Sequence, residues 1–120
     1  MPHQIVWFEI PVLDLDRAIT FYTHIIGAYI EKQEHPGFTI GVFPHRPGYI
    51  TGCLQKSESD KPSDHGPLLY LNVSGRLDAA IEAARKNGGK VLIEKQQVGV
   101  WGYRAVILDS EGNRVALHST

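Results

Sequence analysis

An internal repeat constrains this chain more than any other feature. Leu15, Asp16, Ala18, Ile19 and Gly27 recur at a constant offset of 62 as Leu77, Asp78, Ala80, Ile81 and Gly89. An apolar alternating run precedes each copy, Ile5 to Val12 before the first and Leu68 to Val73 before the second. A duplicated segment of this kind is one supersecondary unit whose apolar face is buried by its twin. The chain is therefore expected to fold as two like halves.

Each repeated segment reads as a helix. Leu15, Ala18, Ile19, Tyr22, Ile25 and Ile26 form one stripe at i, i+3, i+4, i+7 spacing. Asp14 is the expected N-cap, because its carboxylate accepts from the free N–H groups of the first turn. Gly27 suits the position just past the helix, since it takes positive φ without a Cβ clash. In the second segment Leu77, Ala80, Ile81 and Ala84 form the stripe, and Asn87-Gly88-Gly89 is the stop.

Three strand-like runs follow each helix. They are Tyr29–Gln33, Phe38–Phe43 and Tyr49–Lys56 in the first half, and Lys90–Gln96, Tyr103–Leu108 and Arg114–His118 in the second. Pro36-Gly37 and the stretch from Pro44 to Gly48 supply turns. Asp109-Ser110-Glu111-Gly112-Asn113 reads as a hairpin turn whose Gly and Asn suit a left-handed residue. Ser57 to Gly66 is polar and reads as a surface linker. The plan is an α+β domain over 1–120, with βαβββ modules at 1–56 and 67–120 and a linker at 57–66. Side by side, the modules are expected to leave their helices outside and curl their sheets into a shared cup, a natural small-molecule site.

Composition excludes several classes. Twelve Lys and Arg against thirteen Asp and Glu give a net charge of −1, with no basic stretch, so neither nucleic acid nor a membrane surface is an expected partner. Hydrophobic residues at 42% suffice for a core, and no apolar run approaches the roughly 20 residues that span a bilayer. The opening Met1-Pro2-His3-Gln4 carries no leader pattern, and a single cysteine, Cys53, excludes an internal disulfide and a thiolate-rich zinc site. The expected compartment is the cytoplasm.

The segment from Trp7 to Ala18 (WFEIPVLDLDRA), then Phe21-Tyr22 and Gly27, resembles the vicinal oxygen chelate superfamily of glyoxalase I, extradiol dioxygenases and bleomycin-resistance proteins. Tyr70-Leu71-Asn72-Val73, Asn87-Gly88-Gly89 and Asp109 to Val115 carry the same resemblance, which covers nearly the whole chain. It is most similar to short glyoxalase-like proteins. The resemblance implies the two-module cup, a small-molecule ligand and a homodimer. It also implies divalent-metal ligands at positions that fall here on Trp7, on Cys53 to Gln55, on Leu68 or Leu69, and on Ala116. Trp, Leu and Ala are not donors, and a protein-held metal needs about three. The expectation is a site with no metal and no cofactor. A residual metal held by Glu9, Cys53 or His118 remains an alternative, as does a divergent metal-dependent lyase or dioxygenase.

Strand alternation gives the candidate site. If Trp7 faces the cup, so do Glu9 and Pro11; if Ala116 does, so do Arg114 and His118; if Leu68 does, so do Tyr70 and Asn72. Glu9 and His118 are the candidate acid and base, since a carboxylate beside an imidazole sets its tautomer and stabilises its charged form. The competing role for Glu9 is structural, accepting hydrogen bonds from Arg114 or Tyr70 to tie the modules together. Trp7, Tyr70, Asn72 and Arg114 are candidate ligand contacts. Trp101 and Tyr103, in the glycine-spaced segment Val98 to Tyr103, are read either as a flap that stacks on a planar ligand or as a plug in the mouth of the cup. Cys53, between Gly52 and Leu54, reads as a small buried hydrophobe. The remaining histidines, His3, His24, His35, His45 and His65, show no ligand spacing and read as surface residues. The rival to an acid–base enzyme is a non-catalytic binder of the drug-sequestering kind.

Overall fold

A computed structural model describes residues 3–120; Met1 and Pro2, part of the stretch read for a leader, lie outside it. The first half runs β1 (Trp7–Val12), α1 (Leu15–Ile26), β2 (Glu31–His35), β3 (Phe38–Val42) and β4 (Thr51–Lys56). The second runs β5 (Leu69–Asn72), α2 (Leu77–Lys86), β6 (Lys90–Gln97), a 3-10 turn at Gly99–Trp101, β7 (Tyr103–Leu108) and β8 (Arg114–Ser119). Each half makes its own four-stranded sheet, ordered β1-β4-β3-β2 and β5-β8-β7-β6. In both, the first strand pairs parallel with the last, and the other pairs are antiparallel. The repeat in sequence is thus a repeat in topology.

The halves join through their helix-side faces, so the helices meet inside the shared core and are not left outside as the sequence suggests. Ile10, Val12, Ala18, Phe21, Tyr22 and Leu54 of the first half share one core with Leu71, Ala80, Ile81, Ile107, Val115 and Leu117 of the second. The two helices pack against each other within it. α1 buries Phe21 as well as Ala18, Tyr22 and Ile25 of the expected stripe, with Leu15, Ile19 and Ile26 partly buried, because it meets both its own sheet and the second half, where the Phe21 ring comes close to the backbone of Gly89. Among the described residues no strand of one sheet hydrogen-bonds to a strand of the other.

Both ends of α1 are held by charges from the second half. At the N-terminus, the Leu13 and Asp14 N–H groups donate to Glu111 Oε1 at 2.9 and 2.8 Å. Arg17 donates to both carboxylate oxygens, from Nε at 2.7 Å and Nη2 at 2.8 Å. Asp14 caps the same turn, accepting from the Arg17 N–H at 3.0 Å. At the C-terminus, Arg76 donates to the carbonyls of Ile25 and His24, its guanidinium lying against Gly27, which has φ +75. Anion at the N-terminus and cation at the C-terminus both complement the helix dipole.

Beneath this clamp, the Tyr22 hydroxyl donates to Asp109 Oδ2 at 2.5 Å across 87 residues. Asp109 Oδ1 accepts the N–H groups of Glu111 and Asn113, each at 2.8 Å, and so shapes the hairpin turn. Gly112 supplies the left-handed residue at φ +97; Asn113 does not, since no described non-glycine residue has positive φ. The Asn113 side chain instead donates to Pro11 O at 2.7 Å and accepts the Ser63 N–H at 3.1 Å. The segment at 57–66 is therefore pinned at Ser63 to the start of β8.

Burial by itself raises the Glu111 carboxyl, but Arg17, the Asp14 N–H, the Ser110 hydroxyl and the Leu13 N–H outweigh it and hold it at about 2. Burial, then the neighbouring Asp109 charge, pushes the Tyr22 phenol well above its usual range, so it remains a neutral donor. Because the folded-state value of Glu111 is depressed, its stabilisation is present above the ordinary carboxyl range and is lost as pH falls toward 2. Glu111→Gln is expected to destabilise the fold by about 2 kcal/mol at pH 7 in urea unfolding, with half-exposed Arg17 screening part of the pair. The deficit should shrink as pH is lowered from 4.5 toward 2. Tyr22→Phe should lose about 2 kcal/mol, the worth of a buried hydrogen bond to a charged acceptor.

Candidate functional site

In the second sheet Leu69, Leu71, Ala105, Ile107, Val115 and Leu117 point into the core. Alternation therefore turns Tyr70, Asn72, Arg104, Val106, Arg114, Ala116 and His118 outward. Register aligns these in rows: Asn72, His118, Arg104 and Gln96 form one, and Tyr70, Ala116, Val106 and Ile93 the next. A polar row thus crosses all four strands beside an apolar one.

Arg104 is the centre of the polar row. Its Nη1 donates to the Tyr70 hydroxyl oxygen at 2.6 Å and its Nε to Gln96 Oε1 at 2.8 Å. The Tyr70 and His118 rings meet edge-on, 6.2 Å between centroids. His118 Nε2 lies 2.5 Å from the carbonyl oxygen of Trp101. A carbonyl only accepts, so Nε2 carries a proton, and among the described residues Nδ1 has no hydrogen-bond partner. Asn72 Oδ1 accepts the Ser74 N–H at 2.9 Å, which turns the chain out of β5.

The other expected site residues lie elsewhere. Trp7 and Glu9 are on the outward face of the first sheet, since Ile10 and Val12 face the core. Glu9 and Arg114 line a groove of about 260 Å³ between the halves, with Pro11, Lys61, His65 and Leu69. Arg114 donates from Nη2 to Gly66 O at 2.8 Å, and its buried Nε has no partner. Among the described residues no hydrogen bond or ion pair joins Glu9 to Arg114, Tyr70 or His118. The tie between modules that was assigned to Glu9 is made by Glu111, and His118 meets a carbonyl where a carboxylate was expected. The Trp101 carbonyl holds His118 while its indole stands 76% exposed, so it does not fill the mouth of a cup within this chain. Tyr103 is on the opposite side of β7 from Arg104, under Lys95 and beside the start of α2. One step of alternation separates it from the site. His35 is an exposed residue of β2, stacked on Phe38.

Arg104 was not among the expected residues. The hairpin closed by 109–113 places position 104 opposite 118, so the signal lay in hairpin register and not in residue type.

A family model for the glyoxalase/bleomycin resistance protein/dioxygenase superfamily matches residues 4–117. The chain belongs to that superfamily. A glyoxylase-like domain-containing protein of Didymella fabae is 35% identical over 102 residues, covering 80% of this chain and 77% of that protein. Among solved structures, a glyoxalase/bleomycin resistance protein from Albidiferax ferrireducens T118 superposes with a TM-score of 0.76 at 20% identity, covering 98% of this chain and all of that one. The genomically encoded fosfomycin resistance protein FosX from Listeria monocytogenes gives 0.70 at 16% identity, covering 100% and 95%. At these identities the two structures establish the fold alone.

The superfamily's metal positions can now be tested against the side chains. Leu69 packs on the core, and Ala116 faces outward between Tyr70 and Val106. Trp7 pairs with Thr51 on the other sheet. Cys53 is 1% exposed in an apolar cluster with Ile40 and Val42. Among the described residues no three His, Cys, Asp or Glu side chains converge as a metal would require. These donors do not fit the superfamily's divalent ion, and no step is derived through it.

Burial, with the Glu9 charge next, pushes the Cys53 thiol up to about 11. Thiolate is the reactive form. Alkylation of native Cys53 by iodoacetamide at pH 8 should run on the order of 100-fold slower than that of the urea-unfolded chain. Equal rates would show an accessible, activated thiol.

Proposed function

We propose that this superfamily member binds a small molecule on the outward face of its second sheet, without the superfamily's divalent metal. The observation that carries the reading is the Arg104–Tyr70–His118 group, a set of fixed polar side chains beside the exposed Ile93, with Ala116 and Val106 buried beneath the same face. A few placed polar groups on an apolar floor orient a ligand while the floor supplies affinity. The free Nδ1 of His118 supports a second reading, in which it takes a proton from the bound ligand. Glu9, on the other sheet, has no part in that step within one chain.

The face is open, and closure by a second copy fits the exposed surface. Ile5, Val6, Trp7, Tyr49 and Ile50 are all at least 40% exposed. Residues 3–6 run beside 48–50, as the His3 ring contact with Gly48 O at 3.3 Å marks, so this apolar surface lies at one end of the first sheet. Exposed apolar surface of this kind is suited to a protein–protein contact. We take the working form to be a homodimer. No helix among the described residues is long and apolar enough to cross a membrane, and we place the protein in the cytoplasm.

Two measurements test this. Sedimentation equilibrium should give twice the chain mass, and Trp7→Glu should shift the protein toward monomer; a monomeric parent at micromolar concentration would contradict the dimer. A screen of small aromatic compounds by ¹H–¹⁵N NMR in EDTA should give saturable shifts at Tyr70, Arg104 and His118. Shifts that appear only after a divalent metal is added would contradict the metal-free reading. If His118 acts as a base, His118→Ala should lower turnover of a bound substrate by 100-fold or more, on the order expected for general base catalysis, while Glu9→Gln leaves it unchanged.

A further inference from the structure

The charge of Arg104 is not neutralised by the protein. Its two side-chain partners, Gln96 and Tyr70, are neutral acceptors, and among the described residues no carboxylate lies within ion-pair distance of it. The acids of the second sheet are turned away. Glu94 of β6 reaches to the opposite side, where its Oε2 accepts from Arg85 of α2 at 2.5 Å. The outward rows instead bring Arg114 and Lys90 to the same face, both paired in register with Leu108. The first sheet's outward face differs, carrying Glu9 and Glu31.

The neutral members of the row also present donors. The Tyr70 oxygen accepts from Arg104, leaving its O–H free to donate outward. Gln96 accepts through Oε1 and Asn72 through Oδ1, which leaves each amide NH₂ free. A fixed guanidinium ringed by free O–H and N–H groups, with no acid on the face, is complementary to an oxyanion. Two of the cations are far apart: Arg104 and Arg114 belong to rows four residues apart along β8, about 13 Å at the rise of a strand. One guanidinium with neutral donors suits a single negative charge, and the exposed members of the neighbouring row, Tyr70 and Ile93, with Ala116 and Val106 buried between them, suit an apolar body.

We propose that the Arg104 row is a recognition site for the carboxylate of a monoanionic ligand whose apolar or aromatic body lies on the neighbouring row. This deepens, and rests on, the small-molecule reading above. Tyr70 and Gln96 hold the guanidinium edge-fixed, so the carboxylate is met by an oriented fork and not by a mobile charge.

The test compares benzoate with its neutral isostere benzamide, by calorimetry and by the Arg104 Nε–H resonance, on the intact protein in EDTA. Benzoate should bind about tenfold or more tightly than benzamide, weaken with added salt, and move the Arg104 signal. Arg104→Gln should abolish the preference, Arg104→Lys should keep part of it, and Tyr70→Phe, which preserves the ring, should reduce it severalfold. Circular dichroism of each variant separates lost binding from lost folding. Equal binding of benzoate and benzamide at this face overturns the oxyanion site and leaves the small-molecule reading standing. A benzoate preference that survives Arg104→Gln also overturns it. Binding of neither compound overturns both.

Discussion

The clamp on α1 is the interaction on which the rest of this structure depends. Glu111 meets the N-terminus of the helix and Arg76 its C-terminus, and both come from the other half of the chain. Orphan N–H and C=O groups at helix ends must find partners. Here their partners fix how one module sits on the other. The repeat is not obeyed at this level. α2 has no side-chain N-cap, and at its far end Asn87 donates to Ala83 O from within its own module. Two similar halves are thus joined by a one-way set of contacts, with Tyr22–Asp109 buried beneath them.

That joining decides which faces are left for function. The helix-side faces are spent on a common core, so each sheet keeps one outward face. The two outward faces differ in chemistry. The first carries Glu9 and Glu31 around a buried apolar patch of Ile40, Val42 and Cys53. The second carries Arg104, Arg114 and Lys90 with no acid among them. The polar row of the second face is assembled from four strands, so it is built on hydrogen-bonded backbone and not on a loop. Trp101 approaches it from a turn, through its backbone carbonyl.

Much of this architecture is legible in the sequence because periodicity and turn chemistry agree. Both helices begin and end where the apolar stripe, Asp14, Gly27 and the Asn87–Gly89 stop place them. β7 is read to the residue. β2 is displaced by two residues, from Tyr29–Gln33 to Glu31–His35, because its polar edge-strand sequence carries no alternation and its pairing is set by the hairpin at Pro36-Gly37. The orientation of Glu9, Tyr70, Asn72, Arg114 and His118 follows from period two. Their convergence does not, since it depends on how the sheets are joined, and the Arg17–Glu111 pair that joins them spans 94 residues with no local signature. Arg104 is hidden for a related reason: a lone arginine in a strand acquires meaning only from the residues set opposite it.

The proposed site holds its ligand on the second sheet by protein side chains alone. A crystal structure of protein prepared in EDTA and soaked with a small aromatic acid tests this most directly. The acid is expected on the outward face, its carboxylate against Arg104 and the Tyr70 hydroxyl and its ring against the exposed Tyr70 and Ile93 side chains. A cation held there by three or more protein donors, or the acid bound only in the groove beside Glu9, would contradict it.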